Sequence, residues 1–131
     1  MEKHIQQVKE FYTQFNIPIL ALNEVLNVDR KELRHNLLQE EVNELYNATQ
    51  ANDIIEVADA ITDCFYILLG TAIEFGIEDK LVACFDEVHR SNMSKLDENG
   101  NPLIRDDGKI VKSSLYSPPD LKNIIFYDRF K

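Results

Sequence analysis

Residues 53–79 contain no lysine or arginine, yet the first half of this stretch carries Glu56, Asp59 and Asp63. Nearly every other direction around it is apolar: Ile54, Ile55, Val57, Ala58, Ile61, Phe65, Ile67, Leu68 and Leu69. At helical spacing the three acids fall within about 60° of arc. An ordinary solvated helix face mixes charges, because opposite charges four residues apart support it. A purely acidic stripe on an otherwise buried helix repels itself unless a cation sits there. Glu56 has a simpler alternative role, since it follows Asp53 by three residues and could close a capping box. That alternative does not cover Asp59 and Asp63.

The preceding segment shows the same anomaly. Leu33, Leu37, Leu38, Val42, Leu45, Tyr46 and Ala48 define a broad apolar arc on a helix. Glu41 and Glu44 lie inside that arc, Glu40 at its edge, and Arg34 inside it two turns before Glu41. A buried, unpaired carboxylate is costly, so such groups are normally paired or metal-bound. The alternative is that the arc is wider than the true core and the acids reach solvent. A short link near Asn52 favours antiparallel packing of the two helices. Glu41 with Glu44, and Glu56 with Asp59, each spaced i,i+3, then present four carboxylates. All-oxygen donors suit a hard cation, Mg²⁺ or Mn²⁺, over zinc or copper.

The rest of the chain reads as a single domain of 131 residues. Ile5, Val8, Phe11, Tyr12 and Phe15 mark a first helix over residues 4–15, stopped by Asn16-Ile17-Pro18. A connector leads to Asp29, which with Glu32 resembles a capping box and opens the second helix, running to about residue 51. The third helix spans residues 54–75, with Gly76 suited to a left-handed cap. A fourth covers about residues 78–95. Leu103-Ile104 and residues 109–112 flank Asp106-Asp107-Gly108 as a short hairpin, and residues 121–130 form an amphipathic tail. The expectation is an all-α fold: a four-helix core over about residues 4–95, then a small C-terminal β-hairpin arm and tail over residues 97–131.

The net charge of −9 argues against a bare nucleic-acid binder, which needs a basic face. It leaves phosphate chemistry open, because a bound divalent metal inverts the local sign. No apolar h-region marks a signal peptide, and no apolar run suits a membrane span. Cys64 and Cys84 sit in apolar helical patterns and read as reduced, buried thiols of a cytoplasmic protein. His89, three residues after Asp86, reads as structural.

Glu40-Glu41-Val42-Asn43-Glu44, followed after eleven residues by Glu56-Val57-Ala58-Asp59, resembles the E-E-x-x-E … E-x-x-D signature of the all-α nucleoside triphosphate pyrophosphohydrolases. That superfamily includes MazG-type enzymes, dimeric dUTPases, dCTP pyrophosphatases and phosphoribosyl-ATP pyrophosphohydrolases. A second stretch, from Phe85-Asp86-Glu87-Val88-His89-Arg90-Ser91-Asn92-Met93-Ser94-Lys95-Leu96 through Asp107-Gly108-Lys109 and Lys112 to Tyr116-Ser117-Pro118-Pro119-Asp120-Leu121, is similar to a bacterial and phage branch described as MazG-like or phosphoribosyl-ATP-pyrophosphohydrolase-like. The likeness covers residues 30–121.

The resemblance implies Mg²⁺-dependent cleavage of a nucleoside triphosphate to the monophosphate and pyrophosphate in a homodimer or homotetramer. Glu41, Glu44, Glu56 and Asp59 would be metal ligands, with Asp63 a further acid, and Glu40 would orient or deprotonate the attacking water. Arg90, Lys95, Lys109 and Lys112 are the cations available to the phosphates. Asn92 has the donor and acceptor to read a base or sugar, and Tyr116 could stack on a base. Against these roles, Arg90 and Lys95 lie where a helix C-terminus favours cations anyway, and Lys109 and Lys112 also suit a plain hairpin surface. Phosphoribosyl-ATP pyrophosphohydrolases follow the second acidic motif with a Tyr-His pair; here Phe65-Tyr66-Ile67 has no histidine. The alternatives are that substrate, a carboxylate-bridged di-iron or di-manganese bundle, or a non-catalytic helical assembly module.

Overall fold

The computed structural model describes residues 1–21 and 27–127. The chain forms two compact units, Met1–Asp79 and Lys80–Lys131. The first holds α1 (Glu2–Gln14), α2 (Val28–Ala51) and α3 (Ile54–Glu74). A 3₁₀ turn, Glu78–Lys80, leads into the second, which holds α4 (Leu81–Met93), β1 (Leu103–Ile104), β2 (Ile110–Val111) and a short α5 (Leu121–Phe126). This is the expected all-α fold with a small hairpin.

α1 buries Ile5, Val8 and Tyr12, which share one face. It stops at Asn16, whose positive φ of 55° turns the chain. The Ile17 N–H then donates to the Tyr12 carbonyl at 2.9 Å. The expected opening of α2 at Asp29 is two residues late. Asn27 is the N-cap, its side chain accepting from the Arg30 N–H at 2.8 Å, while Asp29 sits in the first turn, where the helix dipole favours an acid. Residues 22–26 of the expected connector lie outside the described residues.

Two residues join α2 to α3. Asn52 takes the left-handed conformation (φ 53°), and the Asp53 N–H donates to the Ala48 carbonyl at 3.1 Å. Asp53 caps α3, accepting from Ile55 N–H at 3.1 Å and Glu56 N–H at 3.2 Å. Because the Asp53 N–H is spent on Ala48, Glu56 does not complete a reciprocal capping box. α3 closes with Gly76 at φ 65°, the expected left-handed stop.

The core of the first unit is Ile5, Val8, Tyr12, Ala48, Ala60, Leu69, Ala72 and Ile73. It also contains Glu74, fully buried. Arg30 and Arg34, one turn apart on α2, both form ion pairs with it. Arg34 further donates through Nε to Thr71 Oγ1 at 3.1 Å and through Nη2 to the Ile67 carbonyl at 2.5 Å. Gly70 makes room: a Cβ there would stand 2.7 Å from both Arg34 Nη2 and Tyr12 Oη. Arg34 therefore interrupts the apolar arc of α2 because it ties α2 to α3.

The burial expected around the acidic stripe is not realised within one chain. Ile54 and Ile55 are 74% and 72% exposed, and Ile61, Phe65 and Leu68 are also exposed. On α2, Leu33, Val42 and Tyr46 are exposed, and Leu37, Leu38 and Leu45 are half-buried. Cys64 and Cys84 are free thiols, half-buried where burial was expected; desolvation raises the pKa of both.

In the second unit the expected helix over residues 78–95 starts as the 3₁₀ turn and ends at Met93. β1 and β2 pair antiparallel, Leu103 with Val111 and Ile104 with Ile110. Asp120 caps α5, accepting from the Asn123 N–H at 3.2 Å. Residues 128–130 of the expected tail lie outside the described residues. Among the described residues, no single helix is long and apolar enough to cross a membrane.

Candidate functional site

The acids of the two signature motifs lie on α2 and α3. Glu41 is their centre. It is half-buried, and its Oε2 is shielded from solvent without a hydrogen-bond partner. Desolvation raises the pKa of its carboxyl, and the carboxylates of Glu44, Asp63, Glu40 and Asp59 raise it further. Five acids from two helices thus share one field. Among the described residues none of the five, nor Glu56, takes part in an ion pair. The cations of the first unit's interior, Arg30 and Arg34, are committed to Glu74.

Glu56 joins Glu44 in lining a cavity of about 410 Å³ beside the α2–α3 turn, with Asn47, Ala48, Ala51 and Asp53. Asp63 is half-buried; Glu40, Glu44, Glu56 and Asp59 are exposed. Among the described residues, no three His, Cys, Asp or Glu side chains gather closely enough to hold a metal ion by themselves. The donor set nonetheless fits a hard cation: it is all carboxylate oxygen, one buried oxygen lacks a partner, and the group carries no internal counter-charge.

The other residues singled out from the sequence all belong to the second unit. Arg90 chelates Glu87 with two hydrogen bonds of 2.8 Å and donates to the Pro118 carbonyl at 3.1 Å. Glu87 also accepts from the Asp120 N–H at 2.8 Å, and these bonds hold its carboxyl at about 2. Ser94 Oγ accepts from the Ser117 N–H at 2.8 Å. The extended segment before α5 is thereby laced to α4. Lys95 Nζ donates to Asn92 Oδ1 at 2.8 Å. Lys112 Nζ lies 4.3 Å from the Tyr116 ring centroid, a cation–π contact. The Lys109 N–H donates to Asp107 Oδ1 at 3.1 Å, and Lys109 itself is exposed. Asp86 and His89 are both exposed.

Glu74 was missed by sequence reasoning. The available signal was Arg34, a cation inside an apolar arc, which needed a buried acid on the neighbouring helix.

The sequence profile of the family described as phosphoribosyl-ATP pyrophosphohydrolase matches residues 8–92, more than half of the chain. No curated protein matches it significantly. The chain belongs to the phosphoribosyl-ATP pyrophosphohydrolase family, within the MazG-like all-α nucleoside triphosphate pyrophosphohydrolases. Its activity class is that of a pyrophosphohydrolase, acting on acid anhydrides.

Proposed function

We propose, from this family membership, that the chain hydrolyses the α–β anhydride of a nucleoside or deoxynucleoside triphosphate, releasing the monophosphate and pyrophosphate. The observation that carries this is Glu41: a sheltered carboxylate with an unpartnered oxygen, surrounded by acids from two helices and no cation. Such a group is stable in its charged form only with a positive partner.

Mg²⁺, or Mn²⁺ in its place, fits that role, with Glu41, Glu44, Glu56 and Asp59 as ligands and Asp63 as a supplementary acid. Mg²⁺ commonly keeps several waters and uses few carboxylates alongside substrate phosphates, so an open carboxylate array suits it. When bound, the ion would offset charge on the phosphates and acidify a coordinated water. Glu40, exposed beside Glu41, would orient the attacking water and accept its proton. Arg90, Lys95, Lys109 and Lys112 would meet phosphate oxygens, and Asn92 and Tyr116 the base or sugar. Glu87 already holds Arg90, so Arg90 has less freedom for this role than the lysines.

A homodimer or homotetramer is proposed because one chain leaves Ile54, Ile55, Ile61 and Leu68 uncovered. Nucleotide house-cleaning in the cytoplasm is the proposed setting, in keeping with two unpaired thiols. Phosphoribosyl-ATP is the second reading, supported by the family that matches; the missing histidine after the second acidic motif stands against it. Product analysis with Mg²⁺ across canonical and modified nucleotides and phosphoribosyl-ATP separates the two. Pyrophosphate and a monophosphate from at least one triphosphate are expected. Turnover of phosphoribosyl-ATP alone supports the second reading, and no pyrophosphate from any of them supports a non-catalytic helical module.

A further inference from the structure

A second polar constellation lies on α1, α2 and α3, built from residues that the acidic site does not use. Arg30 and Arg34 supply two positive charges and Glu74 one negative charge, so the cluster keeps an excess of one positive charge (2 − 1). Arg34 is spent on Glu74, Thr71 and the Ile67 carbonyl. Three buried polar atoms of the cluster remain without hydrogen-bond partners: Tyr12 Oη, Arg30 Nε and Glu74 Oε2, the last held 3.2 Å from Arg34 Nε in the ion pair. Tyr12 is only 2% exposed.

Tyr12, Arg30 and Arg34 line a cavity of about 380 Å³, whose other walls include Phe11, Leu33 and Tyr66. A pocket of that size, mostly apolar with a few convergent polar groups, has the character of a small-molecule site. The guanidinium N–H can only donate, and the Tyr12 hydroxyl has a proton to offer. The occupant must therefore bring acceptors at one end and apolar surface at the other. An excess of one positive charge matches a single negative charge, not the several of a nucleoside triphosphate.

We propose that this cavity binds a small organic monoanion, a carboxylate on an aromatic or branched aliphatic body. Its head is received by Arg30 and Tyr12, and its body lies against Phe11, Leu33 and Tyr66. The site is independent of the pyrophosphohydrolase reading, so its test uses neither nucleotide nor metal.

The probe is benzoate, titrated into the full-length chain by calorimetry or amide NMR, with benzamide and inorganic phosphate as controls. Saturable binding of benzoate is expected, with benzamide weaker by about tenfold or more, since a charge-assisted hydrogen bond is lost. Arg30→Gln should weaken benzoate by a similar factor of about ten. Leu33→Trp should abolish binding by filling the cavity; Leu33 is 41% exposed, so its replacement leaves the fold intact. If Arg30→Gln does not fold, Leu33→Trp decides alone. The proposal is overturned if benzoate fails to saturate, if Leu33→Trp binds it unchanged, or if benzamide or phosphate binds as tightly.

Discussion

Replacing Glu74 by glutamine keeps the shape of the side chain and removes the counter-charge of two guanidiniums. Glu74 is fully buried, while the side chains of Arg30 and Arg34 are 24% and 10% exposed. Breaking a buried ion pair from one side costs about 3–5 kcal/mol, because a charge is left uncompensated. Arg30 keeps a path to water, which places the expected loss near the lower end, about 3 kcal/mol. For a domain of this size that lowers Tm by roughly 10 °C. Thermal and urea denaturation at one fixed protein concentration measure it, since self-association would otherwise shift the midpoint. A triple replacement, Glu74→Leu with Arg30→Met and Arg34→Met, should recover most of the loss, because no charge is then stranded. Glu74→Gln within about 0.5 kcal/mol of the parent protein, the range of an ordinary surface substitution, would refute the claim that this cluster ties α2 to α3.

Three further outcomes follow from the same contacts. Gly70→Ala ordinarily gains about 1 kcal/mol inside a helix. Here the added Cβ meets Arg34 and Tyr12 at 2.7 Å, so a net loss of about 1–2 kcal/mol is expected in urea titration; a gain would mean that Arg34 yields freely. Glu87 has its carboxyl lowered from 4.5 to about 2, chiefly by Arg90 and then by the Asp120 N–H. A lowered folded-state value stabilises above the unfolded value and is lost as pH falls through the folded one. Hydrogen-exchange protection of the Asp120 amide should thus weaken between pH 4.5 and about 2, and Glu87→Gln should lack this pH dependence; an unchanged profile contradicts the assignment. Ile54→Asp combined with Ile55→Asp should shift the light-scattering mass toward one chain of 15.2 kDa. A parent protein already at that mass contradicts the proposed assembly.

What could be read from the sequence was whatever depended on nearby residues. The period of Ile5, Val8 and Tyr12, the turn at Asn52-Asp53, the stop at Gly76 and the hairpin around Asp107-Gly108 are local, and the structure contains each of them. The start of α2 differs by two residues because two acceptable caps, Asn27 and Asp29, stand two residues apart, and only the backbone settles which side chain accepts a first-turn N–H, here Asn27 from Arg30. The shared field around Glu41 was legible because it needs only two helices and a short turn. Glu56, which spacing alone groups with these acids, lines a cavity beside the turn together with Glu44. Arg90 bonds Pro118 and Glu87 bonds Asp120, partners 28 and 33 residues away, which no periodicity reveals. The extent of exposed apolar surface on α2 and α3 was hidden too, because a helical wheel shows what is apolar and not what covers it.

The proposed activity requires that the carboxylates of α2 and α3 act as one site. Its most direct measurement is pyrophosphate release in Mg²⁺ by the parent protein, Glu41→Gln and Asp59→Asn, on the best triphosphate of the panel. Each substitution removes one charge from a different helix and leaves the packing nearly unchanged. Each alone is expected to lower kcat by about two orders of magnitude or more, a size common for lost electrostatic stabilisation in an active site. A parent-like rate in either variant contradicts a shared site.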